Sequence, residues 1–354
     1  MVAPERRVNG HPVGIATDEL YDGRGTEVAE LWEFLVRSRF LYPEKLAVID
    51  PARTQATWAA LLEAPGSLAK TCLLKRDGDI RAHVSAVRLF AKTWTLQHLA
   101  ALLDTRSTLT RGQAVSVSMI ELLDREPEAE WVKVWYRPTS GFPLRLFESF
   151  ARRFADSELS ELATYDYLVS STDRDGAAVP GLAFAASDVV VTGAEPADIE
   201  RIGTYFLDRR TATCVADDLT TPRLTLAAMR EPYAALGLER RREVLVAKHR
   251  GDLLGFALLE ISSIGLNLSE LTSAFRVFPL APHSQVELSL IAAARQRYRE
   301  LGRARCFALA ESAEAGHRTS YERLGFSRAR QYTCWTWHRA HFRDFCRHVR
   351  EFSR

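Results

Sequence analysis

The stretch Tyr321-Glu322-Arg323-Leu324-Gly325-Phe326 (YERLGF) decides the fold of this 354-residue chain. A tyrosine four residues before a Gly-Phe pair is typical of a helix that ends and turns directly into a strand. Glycine accepts the left-handed conformation that closes a helix, and Phe326 then starts the strand toward the core. The stretch follows a long helix predicted over Ser284 to Leu301, where apolar residues recur at helical spacing. Residues 321–326 therefore predict the last helix-to-strand turn of an α/β unit.

The sequence around this turn predicts alternating elements throughout the second half of the chain. Pro196 and the acidic residues near it favour the start of a helix. Gly251-Asp252 predicts a turn between two strands. The predicted order is β-α-α-β-β-β-α-β-α-β. Strands are expected at residues 188–192, 244–247, 253–262, 268–278, 305–310 and 327–337, and helices at 195–209, 224–236, 284–301 and 315–324.

The first half repeats this pattern. KRDGDI at 75–80 and KHRGDL at 248–253 share a lysine, a Gly-Asp turn and an apolar start to the next strand. Their offset of 173 residues is about half the chain, which indicates duplication. The small-residue stretch 170–187 predicts a boundary, with domains at 1–172 and 188–354 and a linker at 173–187. First-half helices are expected at 26–40, 56–64, 112–124 and 143–154, and strands at 81–90, 94–101, 131–136 and 165–169.

The YERLGF turn and the order of elements resemble the GNAT (Gcn5-related N-acetyltransferase) superfamily. The resemblance covers essentially the whole second half and, through the repeat, extends to a degenerate first half. It implies an α/β (α+β) fold of two tandem GNAT-like domains, each with a mixed, mostly antiparallel sheet flanked by helices. It also implies an N-acyltransferase that uses acetyl-CoA or another acyl-CoA and acts on a small-molecule or peptide amine. The alternative is a non-catalytic pseudo-acyltransferase that senses a ligand or binds a protein, because fold does not establish function.

The resemblance assigns candidate catalytic residues to the second half. Tyr321 stands where the family tyrosine lies beside the thioester sulfur, so it would protonate the leaving thiolate. Glu260 and Glu270, both placed on predicted central strands, are the candidate general bases. A structural role remains open for all three side chains.

The loop before the long helix departs from the family pattern. In the family, an Arg/Gln-x-x-Gly-x-Gly/Ala loop binds the pyrophosphate of the cofactor with backbone N–H groups and the helix N-terminus. His283, Ser284 and Gln285 are the candidate cofactor-binding residues at this position. The loop has two prolines and no glycine, which removes N–H donors and favours the pseudo-acyltransferase. The equivalent first-half segment, residues 104–113, contains Gly112 but likewise lacks the full motif.

An alternative polar site is predicted in the first half. His83 and Ser85 share one face of a predicted strand, and the next strand carries Gln97 and His98. Polar side chains on neighbouring central strands are costly to bury without partners. They predict a ligand pocket or a His-based acid/base site, with a satisfied polar network or an exposed sheet face as the structural alternatives.

Composition excludes several classes of protein. With 47% hydrophobic and 26% charged residues, the chain can bury a full core. Its five cysteines are odd in number and lack zinc-site spacing, so neither a disulfide framework nor a metal is expected. The N-terminus has no apolar signal region, and the most apolar stretch, 253–268, is interrupted. These features predict a cytoplasmic protein without a membrane partner, and the high Ala and Arg content favours a bacterial source.

The C-terminal segment is basic. Residues 295–354 contain 14 arginines, no lysine and 6 acidic residues. We interpret this excess as a solvated helix face rather than as a nucleic-acid site. Apolar residues at helical spacing predict a packing face on the same helix, for use in a homodimer or between domains. They are Phe342, Phe345, Cys346, Val349 and Phe352.

Overall fold

All described strands belong to one sheet. The computed structural model describes residues 19–23, 26–63, 66, 68–102, 107–154, 158–172, 189–280, 284–312 and 315–351. The first-half strands are β1 (Glu19–Asp22), β2 (Ala69–Arg76), β3 (Asp79–Phe90), β4 (Thr93–Ala101), β5 (Trp131–Tyr136) and β6 (Ser160–Ser171). The second-half strands are β7 (Val189–Gly193), β8 (Arg240–His249), β9 (Asp252–Ser262), β10 (Ala274–Pro279), β11 (Arg305–Glu311) and β12 (Ser327–His338).

Helices flank this sheet in both halves. The first-half helices are α1 (Val28–Arg37), α2 (Pro43–Leu46), α3 (Pro51–Glu63), α4 (Ser107–Asp124), α5 (Gly141–Pro143) and α6 (Ser149–Ala151), the last two joined by a π-helical turn (Leu144–Glu148). The second-half helices are α7 (Pro196–Arg209), α8 (Ala212–Ala216), α9 (Ala227–Ala234), α10 (Ser284–Glu300), α11 (Ala315–Arg323) and α12 (Phe342–Glu351). Helix α7 starts as the sequence predicts: Pro196 is its first residue, and the Glu195 N–H donates to Asp198 Oδ2 at 2.9 Å.

The two halves exchange their last strands. The order in the sheet is β1-β2-β3-β4-β5-β12-β6-β11-β10-β9-β8-β7. Strand β12 of the second half pairs with β5, and β6 of the first half pairs with β11, both antiparallel. Strands β6 and β12 also pair with each other and place Tyr165 opposite Tyr332. The predicted mixed, mostly antiparallel sheet is confirmed, but the sheets of the two halves merge into one.

Two equivalent hairpins show that the halves share backbone geometry. The loop between β2 and β3 has positive φ at Asp77 (54°) and Gly78 (83°), and the loop between β8 and β9 has it at Arg250 (51°) and Gly251 (90°). Positive φ at both central residues defines the type I′ turn, whose twist matches that of the strands. The register also shifts next to Lys75 in one hairpin and next to Lys248 in the other.

The apolar face of α12 is buried inside the chain. Phe342, Phe345, Cys346 and Val349 pack into the first-half core together with α4 residues such as Ile120. The predicted packing face of α12 therefore lies between the two halves, which is one of the two uses expected from the sequence. Because β12 carries the chain across the first-half sheet, the helix that follows it lies against α4. Phe352 lies outside the described residues.

The structure corrects one predicted strand. Residues 268–273 do not belong to a strand, because β10 begins only at Ala274. Residues 263–273 instead form a lobe, here called the 263–273 lobe, that docks on the first half. Thr57 Oγ1 donates to the Ile264 carbonyl at 2.8 Å, and Trp58 Nε1 donates to the Gly265 carbonyl at 2.9 Å. These long-range hydrogen bonds hold the segment away from the β-ladder. The predicted linker at 173–187 lies outside the described residues.

None of the described helices has the length and apolar character that a membrane crossing requires. Within the described ranges, no three His, Cys, Asp or Glu side chains are grouped so that they could hold a metal ion. All five cysteines are buried free thiols.

Candidate functional site

A cleft opens in the second half where two parallel strands separate. Strands β10 and β11 pair only through Ala274 with Phe307 and Phe275 with Ala308. Beyond these pairs the strands diverge around a cavity of about 290 Å³, which we call the second-half cleft. Its walls include Arg276 to Pro279 from β10 and Leu309 to Glu311 from β11. The gap offers a narrow entrance between the edges of two strands.

Tyr321 lines this cleft from the end of α11. Gly325 adopts φ +81°, and its N–H donates to the Glu322 carbonyl at 3.0 Å, while the Phe326 N–H donates to the Tyr321 carbonyl at 3.0 Å. This Schellman pattern confirms the helix-to-strand turn that the sequence predicts. The Tyr321 ring is 2% exposed and packs against Phe275 and Phe326, with ring centroids 6.0 and 5.7 Å away. The turn therefore fixes the tyrosine at the edge of the cleft.

Carboxylates from both halves also line the second-half cleft. Glu287, on α10, accepts a hydrogen bond from Ser320 Oγ at 2.5 Å. Glu161, on the exchanged strand β6, accepts from the Thr213 N–H at 2.7 Å. Glu311 lies at the end of β11. The strand exchange thus brings a first-half carboxylate to a second-half cavity.

Glu260 lies on β9, as predicted, but it belongs to a buried ion cluster outside this lining. Arg242 Nε lies 2.6 Å from Glu260 Oε1, and Arg240 Nη1 lies 2.8 Å from Oε2. Burial opposes ionisation of Glu260, but the Arg242 and Arg240 guanidinium groups outweigh it and lower its pKa to about 2. A carboxylate held in this way is a weak proton acceptor at neutral pH.

Glu270 lies in the 263–273 lobe rather than on a strand. Its backbone has φ +53°, and its Oε1 accepts from the Gly265 N–H at 3.3 Å. Burial raises the pKa of its carboxyl. Glu270 is not among the residues that line the second-half cleft. The structure therefore separates Tyr321 from both bases that the sequence favours.

The candidate pyrophosphate loop is only partly described. His283 lies outside the described residues, and Ser284 is the first residue of α10. Gln285 is half-buried in the first turn. Val286 and Leu288 occupy the first turns of α10 and are fully buried. These two side chains belong to the second-half core and fix the start of the helix against the sheet.

A second cleft opens at the equivalent place in the first half. Strands β4 and β5 pair in parallel from Thr93 to Leu96 and then separate around a cavity that also measures about 290 Å³, the first-half cleft. The register of β4 against β3 shifts here, and His98 adopts φ +57° within the shift. Tyr332, on the exchanged strand β12, and Asn267, in the 263–273 lobe, help to line the cavity.

The predicted polar residues of the first half do meet at this cleft. Ser85 Oγ lies 3.1 Å from His98 Nδ1, and His83 Nδ1 lies 3.0 Å from the His98 carbonyl oxygen. Burial lowers the pKa of His83 to about 4, with a smaller opposing effect from this hydrogen bond. Burial, followed by His83 and Lys45, lowers the pKa of His98 well below its ordinary value. Both imidazoles are therefore neutral at pH 7.

Three cations at the first-half cleft are not predicted from the sequence. Arg39, Lys45 and Arg137 line the cavity, and Arg137 donates to the Tyr42 hydroxyl. Lys45 lies in α2, a short helix whose signal is a proline at its first position, as in α7. Burial, with the nearby Arg137 and Arg330, lowers the pKa of Lys45 to about 7. Tertiary contacts alone bring these cations together.

Aromatic side chains line both clefts. Phe147 belongs to the lining of the first-half cleft and Tyr321 to that of the second-half cleft. Each cavity also has further tyrosines, among them Tyr136 in the first half and Tyr205 in the second.

A buried ion cluster lies between the clefts. Asp217 pairs with Lys133 of β5 and with Arg276 of β10, the latter at 3.3 Å. Arg240, Glu260 and Arg276 border the same small cavity. Charged groups of both halves thus neutralise each other in the interior.

Comparison with solved structures identifies this architecture. The chain is similar to a tandem GNAT protein from the clavulanic acid biosynthesis pathway, solved without acetyl-CoA, at a TM-score of 0.52 and 15% identity over 91% of this chain and 98% of that one. It is also similar to a structure from Pyrococcus horikoshii with a provisional acetyltransferase assignment, at a TM-score of 0.50 and 12% identity over 94% and 93% of the two chains. The chain therefore has the tandem GNAT fold, as the sequence predicts. No protein-family model matches the chain. No curated protein matches it either.

Proposed function

We propose that the chain is an acyl-CoA-dependent N-acyltransferase whose chemistry takes place at the second-half cleft. The observation that carries the proposal is the position of Tyr321 at the point where β10 and β11 separate. The parallel ladder ends there, so an extended arm fits between the strand edges. An acyl-CoA would supply a thioester, whose carbonyl carbon is open to attack by an amine. The acceptor class, a small-molecule or peptide amine, follows from the fold resemblance.

In this proposal, different side chains of the second-half cleft donate and accept the two protons that move. The amine nitrogen forms a bond to the carbonyl carbon as the carbon–sulfur bond breaks. The Tyr321 hydroxyl would give a proton to the departing sulfur. The proton lost by the amine would go to a carboxylate of the lining, for which Glu161, Glu287 and Glu311 are the candidates. Glu260 and Glu270 stay candidates from sequence alone, without support from the lining of this cleft.

Tyr321→Phe tests the assignment. The ring packing stays, so acetyl-CoA should raise the Tm of the variant as much as that of the native chain. Loss of the proton donor should lower kcat about 100-fold or more. Thiol release in the presence of a panel of amines measures the turnover.

The matched control is Tyr332→Phe, which makes the same change in the first-half cleft and should leave turnover within about twofold. Unchanged turnover in Tyr321→Phe would show that the tyrosine is structural. Absence of a Tm shift at millimolar acetyl-CoA, and with longer acyl-CoAs, would overturn the enzyme assignment altogether.

A second candidate is a pseudo-acyltransferase that binds a ligand or a protein without catalysis. The loop before α10 favours it, because two prolines and the lack of glycine leave few backbone N–H groups for a pyrophosphate. This candidate predicts a folded protein with no thiol release for any amine.

A further inference from the structure

The charge in the first-half cleft is unbalanced. Its charged lining residues are all cations, namely Arg39, Lys45 and Arg137, and no carboxylate is among the described residues that line it. In the described part of the chain, no ion pair joins any of the three to an acidic side chain. Elsewhere in the interior, by contrast, Lys133 is a buried cation that forms an ion pair with the carboxylate of Asp217. Clustered cations repel one another, so the arrangement is more favourable with an anion between them.

An unpaired polar atom lies in the same cleft. His98 lines the cavity and is 6% exposed. Its Nε2 is buried without a hydrogen-bond partner among the described residues, while its Nδ1 faces Ser85 Oγ. Ser85 Oγ also lies 3.2 Å from the Gln97 carbonyl oxygen, so the tautomer of His98 sets whether Nε2 donates or accepts. In either tautomer a buried polar atom without a partner costs free energy, which a polar atom of a ligand would recover.

The rest of the lining is apolar and limits the size of a ligand. Phe40, Leu96, Val134, Phe147 and Leu268 form much of the wall. The volume of about 290 Å³ suits a small molecule rather than a polymer segment. A charged group beside the cations and an apolar body against these side chains would fill the cavity.

We propose that the first-half cleft binds a small organic anion, with its carboxylate or phosphate facing Arg39, Lys45 and Arg137 and its apolar body against the aromatic and aliphatic wall. Guanidinium groups match the geometry of both anions, and His98 adds a neutral imidazole nitrogen. This binding is independent of acyl transfer at the second-half cleft and needs no acyl-CoA. The two halves then hold different ligands in the same fold.

Binding of an anion changes the protonation of Lys45. Arg137, Arg330 and His98 face this amine, and no carboxylate of the cleft does. A group with a pKa of about 7 is only partly protonated at pH 7.5, so pairing with an anion should take up a fraction of a proton per ligand. At pH 6 the amine is already protonated, so uptake there should be close to zero.

Calorimetry with hexanoate, hexyl phosphate and uncharged hexanamide tests the proposal on the full chain without CoA. At least one anion should bind with a Kd of about 1 mM or tighter, and hexanamide at least about 10-fold more weakly. Which anion binds more tightly identifies the charged group. Titration in buffers of different ionisation enthalpy measures the proton uptake, which Lys45→Met should abolish.

Arg137→Gln should weaken binding of the preferred anion about 10- to 100-fold. Arg209→Gln is the matched control, because it removes an arginine that lines the second-half cleft, and it should leave binding unchanged. Far-UV circular dichroism and Tm confirm that both variants fold, and Arg137→Lys should restore part of the affinity. Equal affinity for hexanamide and the anions, or competition by acetyl-CoA for the same site, would overturn the proposal.

Discussion

The two clefts have the same place in a repeated fold and the same volume, yet their charges differ. The second-half cleft contains Tyr321 and three carboxylates beside Arg209 and Arg276, whereas the first-half cleft contains the neutral His98 and three cations, with no carboxylate among its described lining residues. Both arise where parallel strands separate after a few pairs. The comparison teaches that this fold fixes the position of a cavity, whereas a few side chains fix what the cavity accepts.

The exchanged strands prevent the clefts from being independent. Tyr165 and Tyr332 stand opposite each other on β6 and β12, and each lines the cleft of the other half. A change on one strand therefore reaches both cavities through a direct contact. The differences between the clefts can be tested through the elements that they share.

The largest expected effect on stability comes from weakening the packing of the exchanged strand β12 at Trp335. This residue of β12 is fully buried in the first-half core, stacks on Trp337 at 3.8 Å and donates to Ser160 Oγ at 3.0 Å. Trp335→Ala should lower the free energy of unfolding by about 3–5 kcal/mol, measured by urea denaturation. Hydrogen exchange should accelerate in β4 and β5, although the substitution lies late in the sequence.

Trp32→Ala serves as the control, because this indole is only half-buried at the surface of α1. Trp32→Ala should lower the free energy of unfolding by clearly less than Trp335→Ala does. A Trp335→Ala variant that loses under about 1 kcal/mol, with exchange faster in the second half only, would contradict the shared core.

The next effect concerns the ion cluster between the clefts. Glu260→Gln leaves Arg240 and Arg242 buried without their carboxylate and should cost about 3 kcal/mol at pH 7. Because the folded pKa of Glu260 is about 2, below its unfolded value, its contribution is present above about pH 4.5 and is lost as pH falls towards 2. Urea denaturation from pH 7 to 3 should show the acid-dependent loss in the native chain and a smaller one in the variant.

Glu322→Gln is the control, since this carboxylate pairs with Arg318 on the exposed surface of α11. Glu322→Gln should lower the free energy of unfolding by less than about 0.5 kcal/mol. Equal pH dependence of the native chain and Glu260→Gln would show that the cluster does not stabilise the fold.

The smallest effect compares the repeated hairpins. Gly78→Ala and Gly251→Ala each place a side chain at positive φ, with no neighbouring atom within 4 Å of the new methyl group. Both should therefore cost about 1 kcal/mol from backbone strain alone. Gly141→Ala, where φ is not positive and space is also open, should cost nothing measurable. A large difference between the two hairpins, by thermal unfolding, would show that their equivalence is limited to geometry.

Local features of the sequence predict most of the elements but not their partners. The Gly325 turn and the two Gly-Asp hairpins follow from backbone chemistry that few residues accept, so they are predictable from sequence. The exchange of β6 and β12 is not, because both strands alternate in the same way and either neighbour would bury their apolar faces. The 263–273 lobe is held by Thr57 and Trp58, more than 200 residues away, which no local pattern reveals.

For the two clefts as well, some residues could be predicted from local sequence signals and others could not. Tyr321 ends a helix with a recognisable turn, and the alternation of neighbouring strands brings His83 and Ser85 close to His98. Glu270 was expected on a strand but lies in the lobe, and it is not among the residues that line the second-half cleft. The cations of the first-half cleft come from α2 and from the segments after α1 and β5, and their proximity depends on the tertiary fold.

The position of β12 also sets the order in which the protein can be completed during synthesis. Strand β5 leaves the ribosome as an open edge, and its neighbour, residues 333–338, is made only about 200 residues later. An unpaired edge is a template for association with other chains, so the nascent first half is vulnerable until β12 has emerged. Neither half alone has a complete sheet. The exchange therefore ties the two halves together, and a division of the chain between them would leave an open sheet edge in each product.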